Sequence, residues 1–363
     1  MHYLDCNATT PPRPEVVSRM AELLALPLNA SSVHQSGRKA RAIIEDARRA
    51  IGETVGAFAN EVIFTGSGTE ANNTVLRALK GLEIFVSSVE HSSVIGTAQA
   101  IGSPCLLPVD AAGIVDLSKW EELLPDGEPF LVSLMLANNE TGVIQPVREA
   151  AELVHKRGGL LHCDAVQAYG KITIDFTGLG CDFMTISAHK MGGPVGAAAL
   201  IARSNLTFAP LLVGGGQEVN RRAGTENVAA IAGFSVAASL IDFAFMQKLR
   251  GWLDALETRI LASSKGKAVV FCTSTPRLPN TSLIALPGVP SETQLIRFDL
   301  EKIAVSAGSA CSSGRVEPSH VLRAMGASEE LAGSALRISG GWLTTQSDIE
   351  AAAQAWDKLP RGA

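Results

Sequence analysis

The stretch Phe183-Met184-Thr185-Ile186-Ser187-Ala188-His189-Lys190-Met191-Gly192-Gly193-Pro194 sets a lysine just behind a short apolar run and ahead of a Gly-Gly-Pro break. The run 183–187 reads as a buried strand, and the glycines and proline stop a helix from following at once. Taken alone, Lys190 is either a solvent-facing lysine after a strand or a partly buried amine. Burial would lower its pKa from the ~10.4 of free lysine and favour the neutral form, which makes imines with carbonyl compounds.

Working outward, the runs 62–65, 84–87, 130–136, 160–163 and 197–201 have the same short, apolar character. Helical patterns separate several of them, such as 146–157, and a longer one at 38–55 spaces Ala40, Ile43, Ile44, Ala47, Ile51 and Val55 along one face. This alternation predicts an α/β fold, with a mainly parallel sheet covered by helices on both faces. A long helical region at 227–263 follows. Beyond it, shorter strands at 268–271, 282–286 and 335–339 mix with short helices, as in a smaller α+β domain.

The chain has 363 residues, 46% hydrophobic and 18% charged, enough to bury a substantial core in one large and one small domain. A net charge of −5 without long charge runs offers no clustered basic face for nucleic acid. The N-terminus lacks a signal-peptide pattern, and no 18-residue apolar run predicts a membrane span. The cysteines at 6, 105, 163, 181, 272 and 311 form no CxxC pair, so neither a disulfide framework nor a metal site is expected. A reducing cytoplasm is the expected location.

In open α/β sheets ligands bind beyond the carboxyl ends of the strands, so the residues there matter most. Phe64-Thr65-Gly66-Ser67-Gly68-Thr69-Glu70 leads from a strand into a helix, with Ser67 and Glu70 at capping-box spacing. The Gly68 and Thr69 N–H groups and the Thr69 hydroxyl suit an anion such as phosphate, although an ordinary capped turn looks the same. Asp164 ends the strand 160–163: either a helix N-cap or a partner for a protonated ring nitrogen, with Gln167 placed to hydrogen-bond a ring hydroxyl. His91 and Asn139 follow two other strands: His91 is either a helix-start histidine with a satisfied hydrogen bond or a ring that stacks on a planar cofactor or shuttles protons, and Asn139 is either a plain turn residue or a further contact. Together these parts are what a pyridoxal 5'-phosphate site requires: a phosphate cradle, a ring-nitrogen partner, an imine-forming lysine and a stacking ring.

Cys105, Cys163 and Cys181 sit in apolar surroundings suited to structural thiols. Cys311 instead lies in Ser306-Ala307-Gly308-Ser309-Ala310-Cys311-Ser312-Ser313-Gly314-Arg315, with no large neighbour to bury it. That setting fits a reactive thiol on an arm reaching on the order of 15 Å.

These residues resemble the cysteine desulfurases of the NifS/IscS type, within the class V aminotransferase family of fold-type I pyridoxal-phosphate enzymes. The resemblance runs from Leu4-Asp5-Cys6-Asn7-Ala8-Thr9-Thr10-Pro11 through the blocks at 64–73, 138–142, 162–167 and 185–190. It continues in Gly214-Gly215-Gly216-Gln217-Glu218, Arg221-Arg222-Ala223-Gly224-Thr225-Glu226-Asn227, the segment 306–318 and Leu336-Arg337-Ile338-Ser339. It implies a large domain over 15–255 with a mainly parallel seven-stranded sheet. The small α+β domain is made of 1–14 and 256–363 and carries the cysteine loop. The implied reaction takes sulfur from L-cysteine, gives L-alanine and leaves a persulfide on Cys311 for an acceptor protein such as an iron–sulfur scaffold.

By position, Lys190 looks like the Schiff-base lysine and His91 like the stacking acid/base. Asp164, Gln167 and Asn139 match ring partners. Gly68, Thr69, Ser187 and His189 match phosphate ligands, and Thr225 matches one supplied by the neighbouring subunit of a homodimer. Arg337 matches the clamp for the substrate carboxylate, with Asn7 nearby. Gly68 stands where alanine is common in the family. The segment after 356 is shorter than the tail with which some members dock a scaffold, which leaves the acceptor open. A selenocysteine-directed lyase, an aminotransferase and a non-catalytic scaffold subunit are the competing readings; none but the desulfurase gives both Lys190 and Cys311 a task.

Overall fold

Seven strands build the main sheet: β1 (Val62–Thr65), β2 (Glu83–Ser87), β3 (Cys105–Leu107), β4 (Phe130–Ser133), β5 (Leu160–Asp164), β6 (Phe183–Ser187) and β7 (Ala198–Ala202). A computed structural model describes residues 1–308 and 318–359 of the chain. The strand order is β1-β7-β6-β5-β4-β2-β3. Neighbours from β6 to β3 run parallel, whereas β7 is antiparallel to both β6 and β1. Parallel strands need crossovers, and the helices Gly68–Ala78, Ser92–Ile101 and Val147–Lys156 supply them. Strands β1 and β4 to β7 are buried at nearly every position, which is why they read as continuous apolar runs and not as alternating ones.

Three expectations change in detail. The edge strand β3 went unread because Cys105-Leu106-Leu107 is too short to show a period. The run 130–136 stops pairing as a strand at Ser133, although the Leu134 and Leu136 amides still donate to the His162 and Asp164 carbonyls at 2.9 and 2.8 Å. The helical region 227–263 is two helices, Val228–Ser239 and Phe243–Ser263, bent by 71°. Asp242 caps the second by accepting from the Phe245 amide. No single helix among the described residues is long and apolar enough to cross a membrane.

A second sheet of β8 (Val269–Val270), β9 (Thr281–Ala285), β10 (Ser306–Ala307) and β11 (Ala335–Ser339) is antiparallel, ordered β10-β11-β9-β8. The start of the chain joins this side: His2–Tyr3 pairs in parallel with Ile303–Ala304, and Leu4 is fully buried. Met246, Leu249, Leu253, Leu256 and Ile260 of the long helix pack with Leu336, Ile338 and Trp356 in one core. The division drawn at 255/256 therefore falls inside a continuous helix whose buried face serves the second sheet along its length.

One segment beside β1 is held against its own preference. Glu218, Val219 and Asn220 have φ of 48°, 55° and 63°, a left-handed run that side chains with a Cβ disfavour by roughly 1–2 kcal/mol each. Glu218 is buried and takes a bidentate pair from Arg48 at 2.6 and 2.9 Å, plus the Phe64 amide at 3.0 Å. Arg48 also donates to the Val62 carbonyl at 2.6 Å, so the pair bolts this turn to the edge strand. Arg48→Met should lower unfolding free energy by about 3–5 kcal/mol, the cost of stranding one partner of a buried pair, and urea denaturation measures it.

Candidate active site

The strand ends of the main sheet open onto one cleft. Its walls include Gly68, Thr69, His91, Asn139, Asp164, Gln167, Ser187, His189 and Lys190, each delivered by a different turn or by the next position of the same one. Nine of the residues singled out from the sequence thus meet. Thr225 is not among them; it lies exposed in a separate depression with Gly66, Arg222 and Asn227. Cys311 lies outside the described residues.

The anion end follows from helix geometry. Ser67 caps the helix Gly68–Ala78, accepting from the Glu70 amide at 3.1 Å. The capping box is only half formed: the Glu70 carboxylate turns to the Gly66 amide at 2.8 Å and to Arg222 at 2.9 Å. The Gly68 and Thr69 amides come before the first helical hydrogen bond, and both residues line the cleft. A Cβ on Gly68 would sit 2.9 Å from Val166 Cγ2, so this close packing of helix on β5's turn favours glycine.

At the other end, Asp164 Oδ2 accepts from Asn72 Nδ2 at 2.7 Å and Oδ1 from the Val166 amide at 3.0 Å. These fix the carboxylate as an acceptor facing the cleft. Asn72 was missed in the sequence; it lies one helical turn beyond Gly68, and its buried Oδ1 has no partner among the described residues. His91 caps the helix Ser92–Ile101, its Nδ1 accepting from the Ser93 amide at 3.1 Å. The ring proton therefore sits on Nε2. Burial lowers the His91 pKa, against the charge of Asp164, so the ring is neutral at pH 7.

Lys190 Nζ donates to the Asn7 and Ala8 carbonyls, both at 2.6 Å. Burial first, then the Arg337 charge, bring its pKa down to about 8. His189 is pushed down to about 4, by burial and then by Lys190. The positive φ of Gly192, 87°, turns the chain back toward β7 immediately after the lysine.

Arg337 is buried, with Nη2 on Asp5 Oδ1 at 2.7 Å and Nη1 on the Asn139 carbonyl at 3.0 Å; its Nε has no partner among the described residues. Asn7 corrects an expectation. Its side chain does not face a substrate, because Oδ1 accepts from Lys171 (2.8 Å) and Asn280 (3.0 Å) while Nδ2 donates to Thr281 (2.9 Å) and Asn139 (3.2 Å). Asp5 and Lys171 were also missed: a charged residue flanked by apolar ones reads as surface unless its fold partners are known.

Residues 2–352 match the aminotransferase class-V family. The chain belongs to that family. Similar curated members include the cysteine desulfurase IscS of Dictyoglomus turgidum, 39% identical over 96% of this chain and 91% of that one. The cysteine desulfurase of Cereibacter sphaeroides is 41% identical over 96% and 92%. The X-ray structure of a NifS-like protein from Rickettsia africae superposes with a TM-score of 0.92 at 39% identity, covering 99% of each chain. This class-V member is thus of the NifS/IscS type, with the fold-type I architecture.

The lowered lysine pKa has a direct test in cofactor-free protein. Burial disfavours the charged amine, so Lys190 is about one-tenth neutral at pH 7, against well under a thousandth for free lysine. Labelling by an amine-reactive reagent, read by peptide mass spectrometry, should reach half-rate near pH 8 at Lys190 and about two units higher at exposed lysines.

Proposed function

We propose that the cleft binds pyridoxal phosphate and that the protein is a cysteine desulfurase, releasing L-alanine from L-cysteine and leaving a persulfide on Cys311. The observation that carries this is the convergence of an amine of depressed pKa, the Asp164 carboxylate and the first-turn amides of Gly68 and Thr69 on one cleft. That donor set fits the cofactor: amides of Gly68 and Thr69 with Ser187 and His189 for phosphate, Asp164 for the pyridine N–H, Gln167 and Asn139 for the ring's oxygen edge. Thr225 from a second copy of the chain would complete the phosphate site, which makes the working unit a homodimer. When bound, the cofactor supplies an electron sink for charge left at the substrate α-carbon.

The chain's own groups do the rest. Lys190 anchors the cofactor and, once released, takes the proton from the substrate α-carbon, a task for which a pKa near 8 is suited. Neutral His91, with its proton on Nε2, covers the ring and exchanges protons at the substrate. Arg337, already oriented by Asp5 and the Asn139 carbonyl, takes the substrate carboxylate with its planar fork. The Cys311 thiolate attacks the substrate sulfur: an S–S bond forms, the Cβ–S bond breaks, and its electron pair stays with the carbon that becomes the alanine methyl group. A free thiol of pKa ~8.5 is only a few per cent thiolate at pH 7, so deprotonation needs assistance. The persulfide passes to an acceptor protein, such as an iron–sulfur scaffold in the cytoplasm.

Two variants separate the parts. Lys190→Ala should lose the visible absorbance and the borohydride-reducible link to the cofactor. Cys311→Ala should keep both while alanine release from cysteine falls to background; normal turnover there overturns the assignment. Arg337→Lys should raise the KM for cysteine at least ~10-fold with a smaller change in kcat, since a bidentate charged contact is replaced by a single one.

A further inference from the structure

Lys171 has no part in the reading above, yet it is the most deeply buried lysine of the site region, 3% exposed. Gly170, at φ 78°, turns the chain so that this side chain enters the protein, and its own Cβ position is closed by Met191 at 2.7 Å. Its Nζ donates to Gln167 Oε1 at 2.7 Å and to Asn7 Oδ1 at 2.8 Å, two neutral amides. Among the described residues no carboxylate forms an ion pair with it. Burial first, then the like charge of Lys190, push the Lys171 pKa well below the ordinary lysine value. Burying an amine with only amide partners is costly, and an apolar side chain of similar length would avoid that cost.

The compensation lies in what Lys171 imposes on Gln167. A side-chain amide can be turned end for end with little steric change, exchanging a donor for an acceptor. The Lys171 amine donates to Gln167 Oε1, and the Asn7 carbonyl, 2.9 Å from Gln167 Nε2, accepts. Inverting Gln167 would set its oxygen against the Asn7 carbonyl oxygen and leave the Lys171 N–H without this acceptor. Gln167 lines the cleft, and the protein uses one of its two Nε2 hydrogens, leaving the other for a ligand. The same amine holds the Asn7 side chain, and the Asn7 backbone carbonyl accepts from Lys190.

We propose that Lys171 is a positioning residue: it locks the Gln167 amide with its NH2 end toward the cleft, so that Gln167 donates to an anionic oxygen on the cofactor ring. This rests on pyridoxal phosphate being the ligand. Without the lock, Gln167 can present its carbonyl oxygen there, and the ring oxygen loses a charge-assisted hydrogen bond.

The test is the colour of the loaded enzyme across pH, read in wild type, Lys171→Met, Gln167→Leu and the double variant. Losing a donor to the ring oxygen raises its proton affinity, so the pH midpoint of the colour change should move up by about one unit in Gln167→Leu. Lys171→Met should move it in the same direction, and the double variant no further than Gln167→Leu alone. Lys171→Gln, which keeps a donor at this place, should return most of the shift, which a loss of packing would not do. A Lys171→Met midpoint equal to wild type, or a shift that adds fully to that of Gln167→Leu, overturns the proposal. So does a Lys171→Met protein too unstable to hold the cofactor whose Lys171→Gln counterpart is no better. Wild type that stays colourless with added pyridoxal phosphate refutes the cofactor reading itself, a different result from coloured wild type with an unshifted variant.

Discussion

Asn7 is the point through which the two sheets and the N-terminal strand hold each other. Its amide nitrogen donates to Ser339 Oγ of β11 and its carbonyl accepts from Lys190 and Gln167. Its side chain spans Lys171, Asn280, Thr281 and the Asn139 carbonyl. With the residue 1% exposed, losing the Asn7 side chain would take one partner each from Lys171, Asn280, Thr281 and the Asn139 carbonyl. The strand ends of the main sheet deliver residues to the cleft, but the knot at Asn7 sets the distance between them and the second sheet.

Two other ties complete that frame. Asp5, two residues before Asn7, holds the Arg337 guanidinium from β11, and Thr10 accepts no freedom either, its hydroxyl donating to the Lys190 carbonyl at 3.0 Å. The first ten residues are thus a strap across the face of the site, not a free terminus. On the far side, the Arg48–Glu218 pair fixes the left-handed turn at 218–220 against β1. The segment that follows carries Arg222, which reaches back to Glu70 at the start of the cleft helix. These ties run between elements distant in sequence, while the apolar cores define the layers.

Most of the main sheet was legible because its strands are buried on both faces and its breaks carry glycine, proline or capping residues. The candidate residues were legible for a related reason: strand ends are where an α/β sheet exposes polar groups to a ligand. Asn72 and Lys171 escaped because a polar residue inside a helix or turn reads as solvent-facing, and only tertiary contact reveals its burial. Asn7 was placed correctly near the site but given the wrong task. Its spacing cannot tell a substrate contact from a structural hub, since both need an amide. The half-formed capping box at Ser67 shows the same limit: Glu70 has the right spacing, but Arg222, far along the chain, draws its carboxylate elsewhere.

The reversal of the chain after Lys190 has a mechanical consequence. Strands β6 and β7 are an antiparallel pair with matched register from Phe183 with Ala202 to Ser187 with Ala198, and the lysine sits in the link that joins them. Both ends of that link are clamped by the sheet, and the turn Ala188–Lys190 is tied again by hydrogen bonds from Met191 and Gly193 to the Ala188 carbonyl. The Cα of Lys190 is a rigid mount, and its four methylenes are a flexible tether. The amine can swing through a short arc by rotation about side-chain bonds alone, with no backbone hinge to delay it.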